Sequence, residues 1–355
     1  MVEPVYTTRE NVKRSLDIAE TSRSNTIIDR HIRAASRDVE GLCHRRFYPQ
    51  TATRYFDWPN NQGAPAWQLW LEDSELISIT TLSSGGTTIA STGYLLEPNR
   101  TGPPYNQLSI NIGTSASFGG GSTYQRDITV TGLWGYTNDE TDIGTVVEAL
   151  DATETGIDVS SAASAAIGVG SIIRIDSERM QVTGRTQITT GQTLSTSLTA
   201  AQNIVTVAVP DGTQFTVDEV ILLDSERMLI VDISGNNLTV IRGWDGTVLA
   251  AHTSGITIYA QRTLTVSRGA LGTTAATHTT ATAINLWNPP SGIEEYTTAF
   301  AHSNLMQEKT GWFRTMSASS NFGGTARRSA SMESLMDLQT RVYRQYGRKA
   351  RTRTV

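Results

Sequence analysis

Apolar residues recur at two different periods along this chain, and the changes of period mark its elements. Val12, Leu16 and Ala19 repeat at helical spacing behind a Thr7/Glu10 pair of the capping-box type, which predicts a short first helix. Ile28, Ile32, Ala35, Val39 and Leu42 continue that period while Arg30, Arg33 and Arg37 lie off the stripe, and Pro49 stops the run. A second, amphipathic helix is expected there. From Thr51 the period changes to two. Tyr55 alternates with Phe56 and Trp58, Trp67, Leu69 and Leu71 share one face, and Leu108, Ile110 and Ile112 share another. Gly85-Gly86, between Ile79-Thr80-Thr81-Leu82 and Thr87-Thr88-Ile89, is a hairpin signal, and Ile128-Thr129-Val130-Thr131-Gly132 closes the sheet. The Phe118 to Ser122 stretch, with three consecutive glycines, is expected to be a mobile loop.

Helical spacing returns after Asn288-Pro289-Pro290, where Ser291 and Glu294 form a second capping-box pattern ahead of Ile293, Tyr296, Ala299 and Phe300. A Ser/Asn/Gly-rich stretch over 317–324 has linker composition, and beyond it Met332, Leu335, Met336, Val342, Tyr343 and Tyr346 predict a final amphipathic helix.

Between these outer segments the chain repeats itself, and the copies are not end to end. Ile157 through Asp176-Ser177-Glu178-Arg179-Met180 aligns without a gap on Val205 through Asp224-Ser225-Glu226-Arg227-Met228. Leu238-Thr239-Val240-Ile241-Arg242-Gly243 with His252 likewise matches Leu264-Thr265-Val266-Ser267-Arg268-Gly269 with His278. The order is front half, front half, back half, back half, so one β module is nested within another of the same kind. The expected organisation is a split core of residues 1–145 and 288–355, an outer β module of 146–186 and 262–287, and an inner module of 187–261. The fold class expected is α+β: a helical core with a small antiparallel sheet, carrying a large all-β insertion. On this reading, replacing 146–287 by a short linker would leave the core folded.

Composition sharpens the picture only in places. Cys43 is the sole cysteine, which excludes an intrachain disulfide and any Cys-based metal cluster. No apolar run approaches the roughly 18 residues of a membrane span, and the first residues lack a basic and apolar leader pattern, so a soluble, reducing compartment is expected. The net charge of −5 is unevenly distributed: −4 over 1–145, −6 over 146–287 and +5 over 288–355. Beyond Asp337 the chain has Arg341, Arg344, Arg348, Lys349, Arg351 and Arg353 and no acid, a pattern suited to an acidic surface or phosphates.

Catalytic signatures are missing. There is no phosphate-binding Gly-x-x-x-x-Gly-Lys-Ser/Thr loop, and Gly168-Val169-Gly170 precedes a strand rather than a helix. Asp176/Glu178 and Asp224/Glu226 fall between alternating apolar runs, where hairpin turns explain them. His252 and His278 are repeat equivalents, expected to make one structural hydrogen bond in each module; a shared metal site would need the modules to face one another. Trp244 has Ala270 as its counterpart, so it is either exposed on the inner module or core filler for that module alone. No catalytic, cofactor-binding or metal residue is therefore assigned.

Several segments carry a family resemblance. Leu42-Cys43-His44-Arg45-Arg46-Phe47-Tyr48-Pro49 after two helices, a short antiparallel sheet, a last strand Val130-Thr131-Gly132-Leu133-Trp134-Gly135-Tyr136, and Pro290-Ser291-Gly292-Ile293 opening a helix together resemble the head-tail adaptor (connector, head-completion) proteins of tailed double-stranded-DNA phages. The chain departs from that pattern by placing the nested repeats between the last strand and the following helix. The resemblance implies a non-enzymatic virion protein at the neck, made in the host bacterial cytoplasm. It would form a homo-oligomeric ring, commonly of twelve subunits, docking beneath the portal protein and receiving the next neck or tail-completion protein. Genomic DNA would pass through the lumen without sequence-specific binding, and no membrane is involved. In such proteins a C-terminal helix reaches the portal, which makes Met332, Leu335, Met336, Arg341, Tyr343, Arg344 and Arg348 the contact candidates. The alternative is a module that binds carbohydrate or protein through the nested repeats, with the helices as its mount.

Overall fold

The period-two stretch ending at Trp134 becomes a central strand: along Ile128–Trp134 every second residue is buried. The computed structural model containing it describes residues 3–15, 25–58, 65–203, 205–309 and 324–348. The chain divides into two compact units, one of Met1–Val39 with Glu140–Gln339 and a smaller one of Glu40–Asp139 with Thr340–Val355. This differs from the grouping suggested by composition, which joined 1–145 to 288–355.

The expected helical core is also corrected. The protein is mostly β, 37% strand against 23% helix, in large antiparallel sheets. Among the described residues the α-helices are α1 (Arg9–Arg14), α2 (Asn25–Cys43), α3 (Ser161–Ala166), α4 (Ser291–Lys309) and α5 (Gly324–Tyr346). Their apolar stripes are narrow. Val12 of α1, Ile28, Ile32 and Ala35 of α2, and Ala301 and Leu305 of α4 make one modest cluster with Val5 in the larger unit. The greater part of the buried apolar surface comes from strands.

In the smaller unit, Gln50–Phe56, Ile128–Trp134, Leu76–Ser84 and Thr87–Ile89 lie side by side in that order. A second sheet pairs Gln68–Trp70 with Gln107–Ile110 and that with Tyr94–Glu97. Leu69, Leu76, Leu82, Leu108, Val130 and Trp134 fill the core of this unit. The Gly85-Gly86 hairpin has both glycines left-handed, φ 56° and 79°, as a tight two-residue turn requires. A Cβ on Gly85 would meet the Gly120 and Gly121 backbone at 2.5 Å. The glycine loop expected to be mobile is pinned: Phe118 is buried and the Gly119 amide donates to Ser84 Oγ at 2.8 Å. Helix α2 ends at His44, which is left-handed with φ 51°, five residues ahead of the proline expected to stop it.

The larger unit holds a ten-stranded antiparallel sheet in which both repeats take part. Two long neighbouring strands, Glu178–Thr193 and Thr257–Ser267, run through both modules. The chain leaves the outer module along the first and returns along the second. Ile172–Ile175 pairs with Ala283–Trp287 across the complete inner module between them in sequence, the topology that nesting demands. The two cores correspond residue by residue. Ile173, Ile175, Met180, Val182, Leu264, Val266 and Ile284 fill one, and Ile221, Leu223, Met228, Ile230, Leu238, Val240 and Ile258 fill the other.

The N-terminal segment is fastened to these modules, and capping differs from expectation for that reason. Thr8 rather than Thr7 caps α1, accepting from the Asn11 amide. Glu10, expected to complete a capping box, accepts instead from the Val169 amide at 2.6 Å, while the Arg9 amide donates to the Val169 carbonyl at 3.1 Å. Gly168 and Gly170 are glycines because added Cβ atoms would meet Glu10, Thr8 and Val5 at 2.5–2.7 Å. Gln181 donates to the Glu3 carbonyl, Tyr6 packs on Trp287, and Lys13 pairs with Asp245 of the inner module. Glu294, the other supposed capping-box member, accepts from the Asn11 side chain at 2.7 Å. Burial raises the Glu294 carboxyl above its ordinary range, partly offset by that bond. The modules are thus integral to the unit rather than a removable decoration. Leu16 and Ala19, expected in the first helix, and the linker-like 317–323 lie outside the described residues.

Candidate functional site

Two features invite a functional reading: α5, which carries all the contact candidates except Arg348, two residues past its end, and a polar cluster present once in each module.

At its C-terminal end α5 is anchored by Val342 and Tyr346, both buried. Tyr346 meets Phe47 and Tyr136 edge-on at 6.1 and 5.9 Å between ring centroids, and Phe47 and Tyr136 meet each other at 5.4 Å. Seven residues apart, and so on one helix face, Met336 and Tyr343 are 64% and 47% exposed. Leu335 is half-buried, whereas Arg341 and Arg344 are exposed. The supposed single stripe of Leu335, Met336 and Tyr343 is therefore two faces, one turned inward and one outward. The side chain of Met332 lies outside the described residues. Arg348 is not a free tail charge: its guanidinium pairs with Asp73 at 2.5 Å and with Glu75 at 3.7 Å, and its amide donates to the Cys43 carbonyl. Burial raises the Glu75 carboxyl, against the pull of Arg45 and Arg348. Lys349, Arg351 and Arg353 lie outside the described residues.

The module clusters begin at the Asp-Ser hairpin turns. Asp176 and Asp224 are left-handed, φ 50° and 51°, so that Ile175 faces Glu178 and Leu223 faces Glu226 across two-residue turns. This directs Glu178 and Glu226 inward, where neither is exposed. Glu226 accepts from Arg242 Nε at 3.0 Å and Nη2 at 2.7 Å, from the amides of Gly243 and Ala250 at 3.0 Å, and lies 2.9 Å from His252 Nε2. Glu178 repeats every contact with Arg268, Gly269, Ala276 and His278 at 2.8–3.0 Å. Each histidine is also 2.8 Å from the turn aspartate through Nδ1. Each imidazole thus spans two carboxylates, the buried glutamate at Nε2 and the exposed turn aspartate at Nδ1.

Burial alone would raise the Glu178 carboxyl. It is outweighed by the Arg268 guanidinium, the Ala276 and Gly269 amides and His278, which hold it down to about 2. Glu226 is lowered by the same balance. With five donors on each carboxylate, no lone pair remains for a metal or substrate; the cluster is a structural lock. No His, Cys, Asp or Glu trio among the described residues is arranged to hold a metal. Burial pushes the Cys43 thiol up to about 11, which leaves it unreactive as a nucleophile.

The sequence pattern predicted one structural hydrogen bond for each histidine; it missed the buried Glu–Arg pairs. Their signal was present, since both the arginine of the Thr-Val-x-Arg-Gly segment and the glutamate of Asp-Ser-Glu-Arg-Met occur in both copies. Trp244 is core filler, only 9% exposed. No family model matches this chain, and no curated protein or solved structure matches it either.

Proposed function

We propose that this chain is a structural, non-enzymatic head-to-tail adaptor of a tailed phage. It assembles as a ring of identical subunits, twelve in the reading the resemblance implies, beneath the portal protein. The ring joins the DNA-filled head to the next neck or tail-completion protein. The observation carrying this reading is the outward face of α5: a helix seated by Val342 and Tyr346 holds Met336 and Tyr343 out to solvent beside Arg341 and Arg344. An apolar anchor rimmed by cations suits a protein contact in which packing supplies the affinity and charge the steering. The alternative of a binding module displayed by the repeats has less support, because the polar residues common to both modules are consumed inside them.

The test is co-sedimentation of the full chain with purified portal protein. Met336→Asp and Tyr343→Ala leave the buried anchors in place and are each expected to weaken docking by about tenfold or more. Arg341→Ala and Arg344→Ala should weaken it less, with an effect that fades as salt is added. Docking unaffected by both apolar substitutions would contradict the proposal.

A further inference from the structure

The sheet of Gln68–Trp70, Gln107–Ile110 and Tyr94–Glu97 turns Leu69, Leu108 and Leu96 toward the core of the smaller unit. Its other face is set by register. Trp70 stands opposite Gln107 and Gln107 opposite Glu97, while Gln68 stands opposite Ser109 and Ser109 opposite Leu95. An indole, a carboxamide and a carboxylate thus form one row across three strands, at the roughly 4.8 Å interval of paired strands. Trp67 precedes the first strand and is 42% exposed at the end of these rows. Together they line an open groove of about 590 Å3, within the roughly 300–1,000 Å3 typical of small-ligand clefts.

Some polar groups of the groove are unspent, although Asn111 is taken up, donating to the Thr92 carbonyl at 3.0 Å and accepting from the Gly113 amide at 3.1 Å. Gln68, Asn106 and Gln107 make no hydrogen bond through their side-chain amides among the described residues. Glu97 uses one carboxylate oxygen, Oε2, to accept from the Asn99 amide at 2.9 Å. Two indoles with three carboxamides and one carboxylate are the chemistry of sugar recognition. The flat C–H face of a pyranose packs on an indole, and its vicinal hydroxyls both donate and accept, as a carboxamide does. Among the described residues the groove's lining has no lysine or arginine and its one charged side chain is acidic, which selects against anionic saccharides and phosphates.

We infer that this face binds a neutral oligosaccharide, with Trp67 and Trp70 stacking on sugar rings and Gln68, Asn106, Gln107 and Glu97 hydrogen-bonding their hydroxyls. The inference is independent of the portal contact, which lies on α5.

The full chain would be titrated calorimetrically with cellohexaose, chitohexaose, maltohexaose and mannohexaose, with a hexagalacturonate as the anionic control. At least one neutral probe should bind with a Kd of about 1 mM or tighter, quench tryptophan fluorescence and outcompete the control. Trp67→Ala should weaken that binding by about tenfold or more and Trp67→Phe should retain part of it. Gln107→Ala should weaken it severalfold, and Tyr343→Ala should leave it unchanged. Failure of all four neutral probes, or binding indifferent to both Trp67→Ala and Gln107→Ala, would overturn the assignment. So would a fall in oligomeric mass caused by Trp67→Ala, which would make the groove a contact between copies of this chain.

Discussion

Each module closes on a single carboxylate, and the duplication supplies an internal control. Glu226 and Arg242 are 16 residues apart and Glu178 and Arg268 are 90 apart, yet the two pairs have the same partners and nearly the same distances. Removing Glu226 leaves Arg242 buried and uncompensated, so Glu226→Ala should destabilise the larger unit by about 3–5 kcal/mol in denaturant titration. A paired Glu226→Leu/Arg242→Leu replacement should recover much of that loss, because it removes both buried charges. Acid provides a second test. The Glu178 carboxyl is lowered in the folded chain, so its contribution is complete above the ordinary carboxylate range and is lost as pH falls toward about 2. Unfolding free energy should therefore decline across that window, and Glu178→Gln should flatten the decline; an unchanged slope would remove Glu178 from the acid response. At this scale the sequence was half legible. The repeated Asp-Ser-Glu-Arg-Met and the paired histidines marked the positions, but the Arg–Glu pairing depends on a hairpin and a distant strand meeting, which no local spacing encodes.

Period and repetition were the dependable signals for the elements. Period two located the alternating strand Ile128–Trp134, and helical period located α2 and α4. Gap-free repeats gave a nesting that the pairing of Ile172–Ile175 with Ala283–Trp287 realises. What local pattern could not supply was the tertiary use of a side chain. Glu10 and Glu294 fit capping boxes by spacing but bind Val169 and Asn11, and Leu335 fits the stripe of Met336 but lies on another face. Because Thr186 stands opposite Thr263 in neighbouring strands, the inner module can be excised with little loop closure. Joining Thr186 to Arg262 should leave Ile172–Ile175 protected from hydrogen exchange. Stability should fall, since Lys13 loses Asp245 and Arg262 loses its bidentate partner Glu219. Rapid exchange throughout 172–175 would mean that the modules fold only as a pair. Truncation within α5 is a poorer experiment, because it also removes Val342 and Tyr346 from the core of the smaller unit.

Across the whole chain, the expectation of a helical core failed because likeness of composition was read as proximity. The two ends share helical periods, arginines and aromatics, but residues 1–39 fold with the β modules, and 40–139 build a separate core of strands. The contacts of Glu3, Arg9, Glu10 and Lys13 with the modules are the reason. They also predict that replacing 146–287 by a linker destabilises the remaining chain, measurable as loss of a cooperative thermal transition. The adaptor proposal is a claim about assembly, and counting copies at the neck of the intact particle tests it most directly. An averaged electron cryomicroscopy image of virions is expected to place a closed ring of this chain, twelve subunits around the axis, directly beneath the portal with α5 turned toward it. A single copy per particle, or copies away from the neck, would contradict the account.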